Sequence, residues 1–200
     1  MTVFDAVIIG RKPHIDWSIS EHDIDIVWKI LNLLKMEHMA LNYLDTLSGG
    51  ELQKIQIARA IAQDTNIMIL DEPTNNLDIL NQHEILHLIR QLVEKRSMCA
   101  VMTMHDINLA LAYSDKYVFV KDGRVIGYGG YEIVTEEIIK ETYNVNTKII
   151  EHEGRKIIIP ETVQPSFYDV SADGLDLFKD GMSHKNKISE ELKENIIESF

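Results

Sequence analysis

The chain has 200 residues, of which 45% are hydrophobic and 26% charged, so it is long enough for one medium domain with its own core. This composition excludes a chain that is disordered throughout, a collagen and a coiled coil. The 20 basic and 32 acidic residues leave a net charge of −12, which disfavours nucleic acid as the main partner because such proteins usually carry a basic surface.

Hydrophobic periodicity and turn residues predict a series of short elements along the first 160 residues. In chain order they are a helix over 23–39, a helix over 48–62, a strand over 67–70, a helix over 80–95, a strand over 98–103, a helix over 107–113, a hairpin over 117–128, a helix over 135–143 and a hairpin over 148–159. The alternation of strands and helices predicts an α/β domain with a parallel sheet. The acid-rich segment over 161–200 lacks periodicity, and we expect it to be a poorly ordered tail.

The sequence contains neither a membrane span nor a signal peptide. Its apolar stretches are shorter than the ~18–20 residues that cross a bilayer, and the N-terminus lacks a basic start followed by an apolar run. The single cysteine, Cys99, lies in an apolar strand and is predicted to be a small buried side chain in a reducing compartment. We therefore expect a cytoplasmic protein that contacts a membrane only through a partner.

The first motif with chemical content is Leu-Ser-Gly-Gly-Glu-Leu-Gln at 47–53. Ser48 and Glu51 have the spacing of a capping box, which needs no ligand to explain it. The capping box does not require Gly49 and Gly50, which remove side chains from the first helical turn. An anion can then approach the backbone amides at the positive end of the helix dipole, with the Ser48 hydroxyl as a further donor.

The second motif is Ile-Met-Ile-Leu-Asp-Glu-Pro-Thr at 67–74, an apolar strand that ends in two carboxylates. Ligands of α/β proteins bind at the carboxyl ends of parallel strands. Asp71 is suited to hold Mg²⁺ through water, and Glu72 is suited to polarise a water that attacks phosphorus. The simpler interpretation is a solvated strand end.

The third motif is Thr-Met-His-Asp at 103–106, at the end of the next predicted strand. A lone histidine such as His105 is most often a hydrogen-bonded structural residue. Because the two strands are predicted to be parallel neighbours, however, His105, Asp71 and Glu72 are expected to converge at one edge of the sheet.

The order and spacing of these motifs, together with Asn-Asn-Leu-Asp at 75–78, resemble the ATP-binding subunit of an ABC transporter over roughly residues 2–160. The resemblance implies a P-loop NTPase-like α/β core, N-terminally incomplete, with a helical signature subdomain. It implies a helical subdomain at about 1–62, a Walker B and switch core at about 63–130, and a C-terminal helix and hairpin at about 131–160. Segments 10–14, 105–110, 121–125 and 136–145 further resemble the branch that imports ferric siderophores, haem or cobalamin.

By this resemblance, residues 48–53 form the signature motif, with Glu51 where the family more often has glutamine. Asp71 is the Walker B aspartate and ligand of Mg²⁺ through water, Glu72 the catalytic glutamate, and His105 the switch histidine. Ser48, Gly49, Gly50, Glu51 and the D-loop residue Asp78 would bind ATP. The implied partners are a second ATP-binding subunit, transmembrane permease subunits and a periplasmic or lipoprotein substrate-binding protein. This places the chain in the cytoplasm, peripheral on the inner face of the cell membrane.

The sequence departs from the family because no Gly-x-x-x-x-Gly-Lys-Ser/Thr occurs in its 200 residues. The family places this P-loop before the part that the chain resembles, and the P-loop strand would lie between the strands at 98–103 and 117–120. We therefore expect the chain alone to bind ATP weakly and to be poorly stable without a complementing N-terminal piece. The alternative is a non-catalytic fragment or split-gene module that supplies only the signature half to a partner.

A rival motif is His-Glu-Ile-Leu-His at 83–87, the pattern of a zinc metalloprotease helix. It would make His83 and His87 zinc ligands and Glu84 the general base. The predicted helix turns Ile85 and Ile89 towards the core, which leaves both histidines on the solvent side. The sequence therefore disfavours a zinc site.

Overall fold

The computed structural model describes residues 1–15 and 17–161. The helices are α1 (Val3–Ile8), α2 (Glu21–Leu33), α3 (Gly49–Ala62), α4 (Ile79–Arg96), α5 (Ile107–Tyr113) and α6 (Glu136–Tyr143). The strands are β1 (Ile67–Leu70), β2 (Cys99–Met102), β3 (Tyr117–Lys121), β4 (Arg124–Gly129), β5 (Thr147–His152) and β6 (Arg155–Pro160). Short 3₁₀ helices cover Ile9–His14, Glu37–Met39, Leu44–Thr46 and Tyr131–Ile133.

The chain divides into two units, Met1–Ile159 and Pro160–Phe200. From residue 162 onwards, the tail predicted over 161–200 lies outside the described residues. Among the residues that are described, no helix is both long and apolar enough to cross a bilayer.

Helices α1, α2 and α3 each begin at a capping box, in which a serine or threonine and an acidic residue three positions later satisfy each other's backbone amides. Their apolar faces pack together, and the core includes Val3, Leu31 and Ile57, all at most 1% exposed. Within this apolar core, the buried Arg11 donates to Asp23 at 3.0 Å and to the carbonyl of Ala62 at 3.1 Å.

β1 and β2 form a parallel pair, with Ile67 opposite Cys99 and Leu70 opposite Met102. Alternate side chains of a strand point to opposite faces, and here the two faces differ. Met68 and Leu70 are buried, whereas Ile69 is 76% exposed. Only one face of this strand is therefore buried in the described part of the chain, although all four of its residues are apolar.

Cys99 shares the exposed face of this sheet with Ile69 and Val101, of which Val101 is 52% exposed. Its side chain is exposed, which contradicts the prediction of a buried cysteine. The physical reason is strand alternation, which turns Cys99 away from the core that Met68 and Leu70 join.

β3 and β4 form an antiparallel hairpin that turns at Asp122 and Gly123, both with positive φ, as expected for this turn. A second buried cluster forms around Phe119, Val134 and Ile139. The described strands pair only two by two, so β2 and β3 do not hydrogen-bond to each other. A cleft of about 550 Å³ is lined by residues of β2 and β3, among them Ala100 and Val118.

Candidate functional site

The start of α3 displays the predicted capping box. The backbone amide and the hydroxyl of Ser48 both donate to Glu51 Oε2 at 2.7 Å, and the amide of Glu51 donates to Ser48 Oγ at 3.4 Å. The hydrogen bonds from Ser48, first from its hydroxyl and then from its amide, lower the pKa of Glu51. Ser48 and Gly49 are exposed, so this helix end faces solvent. The Ser48 proton points to Glu51 in this arrangement.

The two glycines of this turn also have a packing role, which was not predicted from the sequence. A Cβ atom on Gly50 would lie 3.2 Å from the carbonyl oxygen of Asn76, and one on Gly49 would lie 3.5 Å from the Cβ of Asn76. The first distance is tighter than an ordinary contact. The N-terminal turn of α3 therefore packs closely on the turn that contains Asn76.

The ends of β1 and β2 bring Asp71, Glu72 and His105 together as predicted. His105 Nε2 donates to Glu72 Oε1 at 2.7 Å, with the imidazole 83% and the carboxylate 35% exposed. Thr103 connects the two strand ends, because its hydroxyl donates to Asp71 Oδ1 and accepts from the amide of Glu72 at 2.9 Å. Thr103 was not singled out in the sequence, although it begins the motif that contains His105.

Glu72 adopts a left-handed backbone conformation, with φ of 46°. Such a conformation costs a non-glycine residue about 1–3 kcal/mol and persists only where neighbours hold it. Asn75 holds the side chain by donating to Glu72 Oε2 at 3.2 Å. The carbonyl of Glu72 accepts from the amide of Asn75 at 3.1 Å and from Gln53 Nε2 at 3.0 Å. These contacts of Gln53 and Asn75 were not predicted from the sequence.

Asp78 has a structural contact that differs from its predicted nucleotide-binding role. It is the N-cap of α4 and accepts from the amide of Asn81 at 2.8 Å and from the Asn81 side chain at 2.9 Å. These hydrogen bonds, the backbone one first, lower the pKa of Asp78. Asp78 is nevertheless exposed and available to a second molecule.

The donor set near Asp71 is compatible with Mg²⁺, which usually takes one or two carboxylates and completes its shell with water and substrate phosphates. Within residues 1–15 and 17–161, no three histidine, cysteine, aspartate or glutamate side chains group as a protein-only metal site. Asp71 would thus hold the ion through one of its water ligands, and further water and substrate phosphate would complete the shell.

The helix with the rival zinc motif engages its polar side chains elsewhere. His83 hydrogen-bonds with the Tyr113 hydroxyl at 2.7 Å, Gln91 donates to His87 at 3.1 Å, and Glu84 pairs with Lys35 at 3.3 Å. Ile85 and Ile89 are buried, as predicted. The three residues of the motif therefore do not converge on one metal position.

Comparison with known proteins assigns this arrangement to a class. Residues 1–75 match the family described as ABC transporter. An inward-facing ABC transporter assigned to the metal-chelate type has a TM-score of 0.72 and 28% identity, over 84% of this chain and 68% of that one. The ATP-binding cassette MJ0796, as a dimer bound to ADP and Pi, has a TM-score of 0.60 and 28% identity, over 65% of this chain and 56% of that one. The predicted fold, the P-loop NTPase fold of ABC ATPases, is confirmed.

Two relatives are similar in sequence over about four fifths of this chain. The chain is 49% identical to the uncharacterised ABC transporter ATP-binding protein MJ0089 of Methanocaldococcus jannaschii, over 80% of this chain and 63% of the relative. It is 37% identical to the petrobactin import ATP-binding protein YclP of Bacillus subtilis, over 78% of this chain and 63% of the relative. The chain thus spans less than two thirds of the length of these relatives. The chain is similar to ABC transporter ATP-binding subunits, and its relatives include proteins named for the import of petrobactin, ferric enterobactin and hemin.

Proposed function

We propose that the chain is part of the ATP-binding and ATP-hydrolysing subunit of an ABC importer for an iron-siderophore, haem or cobalamin-type metal complex. The observation that carries the proposal is the Glu72–His105 hydrogen bond of 2.7 Å beside Asp71, at the adjacent ends of two parallel strands. The similarity to a petrobactin import protein supports the metal-complex branch. The similarity to a cassette bound to ADP and Pi supports the nucleotide.

In the proposed reaction, a water attacks the γ-phosphorus of ATP in line with the leaving ADP oxygen. Glu72 accepts a hydrogen bond from that water and takes its proton as the new P–O bond forms and the bond to ADP breaks. His105 fixes the Glu72 carboxylate through Oε1, and Asn75 fixes it through Oε2. Mg²⁺, held through water by Asp71, would neutralise phosphate charge.

We further propose that the site is shared between two subunits, as the dimeric relative suggests. Ser48, Gly49, Gly50 and Glu51 would face the nucleotide held by the partner subunit, with Asp78 at the same interface. The exposure of the α3 N-terminus supports this arrangement, because backbone amides at a helix start bind phosphate favourably. Opening and closing of this dimer would drive permease subunits at the inner face of the cell membrane, served by a substrate-binding protein.

The cleft between β2 and β3 is the place where we propose that a P-loop strand is inserted. β2 and β3 are unpaired with each other, and Val101 and Val118 are more than half exposed on the adjoining surfaces. A backbone group left unpaired and buried costs ~1–3 kcal/mol, against a net stability of ~5–15 kcal/mol for a domain. We therefore expect the chain to need a P-loop-bearing segment both for stability and for tight binding of ATP.

The alternative is that the chain supplies only the signature half to a partner's nucleotide and hydrolyses none itself. The complete and exposed turn at Ser48 favours this second function, because it requires no P-loop from the 200 residues. The two proposals differ in whether Glu72 takes part in catalysis.

One experiment separates them. The chain is assayed for ATP hydrolysis alone and after mixing with a P-loop-bearing fragment of an ABC ATP-binding subunit. We expect turnover only in the mixture, and loss of that turnover in Glu72→Gln. Turnover that Glu72→Gln leaves intact would favour the signature-only function. Turnover by the chain alone, or a sharp cooperative melt of the chain alone, would contradict the need for a complementing segment.

A further inference from the structure

The side chain of Gln53 connects two motifs within one chain. Gln53 lies on the second turn of α3 and is only 9% exposed. Its Nε2 donates to the carbonyl of Glu72 at 3.0 Å, across 19 residues of sequence. The contact therefore joins the helix that begins at Ser48 to the backbone of the residue proposed to activate water.

The conformation of Glu72 makes this hydrogen bond consequential. Its φ of 46° lies in the left-handed region, and the next residue is the fully buried Pro73, which restricts the backbone before it. The carbonyl of Glu72 has two partners, the amide of Asn75 and the side chain of Gln53. Removing the Gln53 donor would leave the Asn75 amide to hold this carbonyl, and we expect the weaker hold to let the Glu72 carboxylate change direction.

α3 makes a second close contact with the turn after Glu72. Gly50 packs against the carbonyl oxygen of Asn76, where a Cβ would lie at 3.2 Å. A displacement of the α3 N-terminus therefore reaches the turn that follows Glu72 at two points, Gln53 and Gly50. At Gly50 the contact is made by the helix backbone, and at Gln53 it is made by a buried side chain.

We propose that Gln53 is a positioning residue that holds Glu72 in its active orientation and transmits the position of the signature helix to it. This inference rests on the proposed function, in which Ser48 contacts the nucleotide of the partner subunit. Occupancy of the partner's nucleotide would then set the orientation of Glu72 at the chain's own site. Gln53 does not touch the reacting atoms.

The test uses Gln53→Met, which keeps the length of the side chain and removes only the amide. The matched control is Gln91→Met on α4, because the Gln91 amide hydrogen-bonds to the exposed His87, away from Glu72. In the full chain mixed with the P-loop-bearing fragment, we expect Gln53→Met to lower kcat by about 10- to 100-fold, the cost of a misplaced catalytic group. The KM for ATP should change less than twofold, since Gln53 is buried and is not among the residues proposed to bind ATP. Gln91→Met should leave both unchanged.

A second measurement does not depend on turnover. Hydrogen exchange of the Asn75 amide, followed by NMR, reports the turn directly because this amide shares the Glu72 carbonyl with Gln53. We expect faster exchange at Asn75 in Gln53→Met and not in Gln91→Met. Equal exchange in the two variants, or an equal loss in kcat and in affinity for ATP, would overturn the inference. A mixture without any ATP hydrolysis would instead contradict the proposed function and leave the exchange result standing.

Discussion

The turn at Ser48 and the turn at Glu72 are held in opposite ways. The contacts of Ser48 are made with Glu51, three residues away in sequence. Glu72 has one local partner, Asn75. Its other contacts are made with Gln53, Thr103 and His105, which lie 19, 31 and 33 residues away. The first turn therefore forms wherever α3 forms, whereas the second exists only when α3, β1 and β2 are packed together.

This difference separates a binding surface from a catalytic geometry. A capped helix end with exposed amides needs only local structure to present itself to a phosphate. A carboxylate that must aim at a water needs fixed backbone and side-chain directions, which come from long-range contacts. We therefore expect substitutions at the long-range contacts of Glu72 to lower turnover more than substitutions at the Ser48 turn do.

The largest effect is expected for Glu72→Gln, which keeps the hydrogen-bonding shape and removes the base. In the chain complemented with a P-loop-bearing fragment, kcat should fall by about 10²–10⁴, the usual contribution of a positioned acid–base group. The measurement is steady-state release of phosphate. The matched control is Glu84→Gln on α4, whose carboxylate pairs with Lys35. A comparable loss in Glu84→Gln would contradict the assignment and revive the zinc motif at residues 83–87.

Thr103→Val is expected to have the next largest effect, because one hydroxyl bonds both Asp71 and Glu72. Hydrogen bonds to charged groups contribute about 1.5–3 kcal/mol, so the free energy of unfolding should fall by an amount in this range and turnover by about tenfold. Urea denaturation and phosphate release measure the two effects.

The control for this variant is Thr65→Val, since the Thr65 hydroxyl donates locally to the carbonyl of Ile67 at 2.7 Å. It removes one hydroxyl just before β1, at the opposite end of the β1–β2 sheet from Thr103. If both variants lowered turnover equally, the long-range contacts at Glu72 would have no special importance, and the contrast between the two turns would fail.

The capping boxes and the strand ends show which parts of the molecule could be predicted from the sequence. The start of α3 at Ser48 was predicted because a cap and its partner are encoded within four residues. The convergence of Glu72 and His105 followed from the register of two parallel strands. The contact of Gln53 with Glu72 was missed because no periodicity specifies which buried amide reaches which carbonyl.

The exposed face of β1 and β2 was missed for a related reason. An apolar run such as that at 67–70 predicts a strand, but the run itself does not say what covers each face. In the described part of the chain, Ile69 and Cys99 lie on the face opposite the core. Whether a strand face is buried depends on packing partners rather than on the strand's own residues.

Ser48→Ala is expected to have a smaller effect, on both the stability and the turnover of the chain complemented with the P-loop-bearing fragment. Loss of a serine cap costs about 1 kcal/mol, so the free energy of unfolding should fall by this amount. The control is Thr135→Ala, which removes the cap of α6 at Ile138. Both variants should lose similar stability, but only Ser48→Ala should lower turnover in the complemented dimer. Equal turnover in the two variants would argue against a role for Ser48 at a shared nucleotide.

The smallest effect concerns the charge of Glu51. Hydrogen bonds from Ser48 lower the pKa of Glu51 below its ordinary value of 4.5, so the ionised carboxylate is favoured in the folded chain. The stability that this contributes is present above pH 4.5 and is lost as the pH falls through the lowered pKa. Glu51→Gln lacks this dependence but keeps an acceptor for Ser48. The difference in free energy of unfolding between the wild-type chain and Glu51→Gln, measured by urea denaturation, should therefore shrink from pH 6 to pH 4. Asp23, whose pKa is lowered to about 2 by Ser20 and Arg11, is present in both proteins and does not contribute to this difference. A difference that grows on acidification would contradict the ionised capping box.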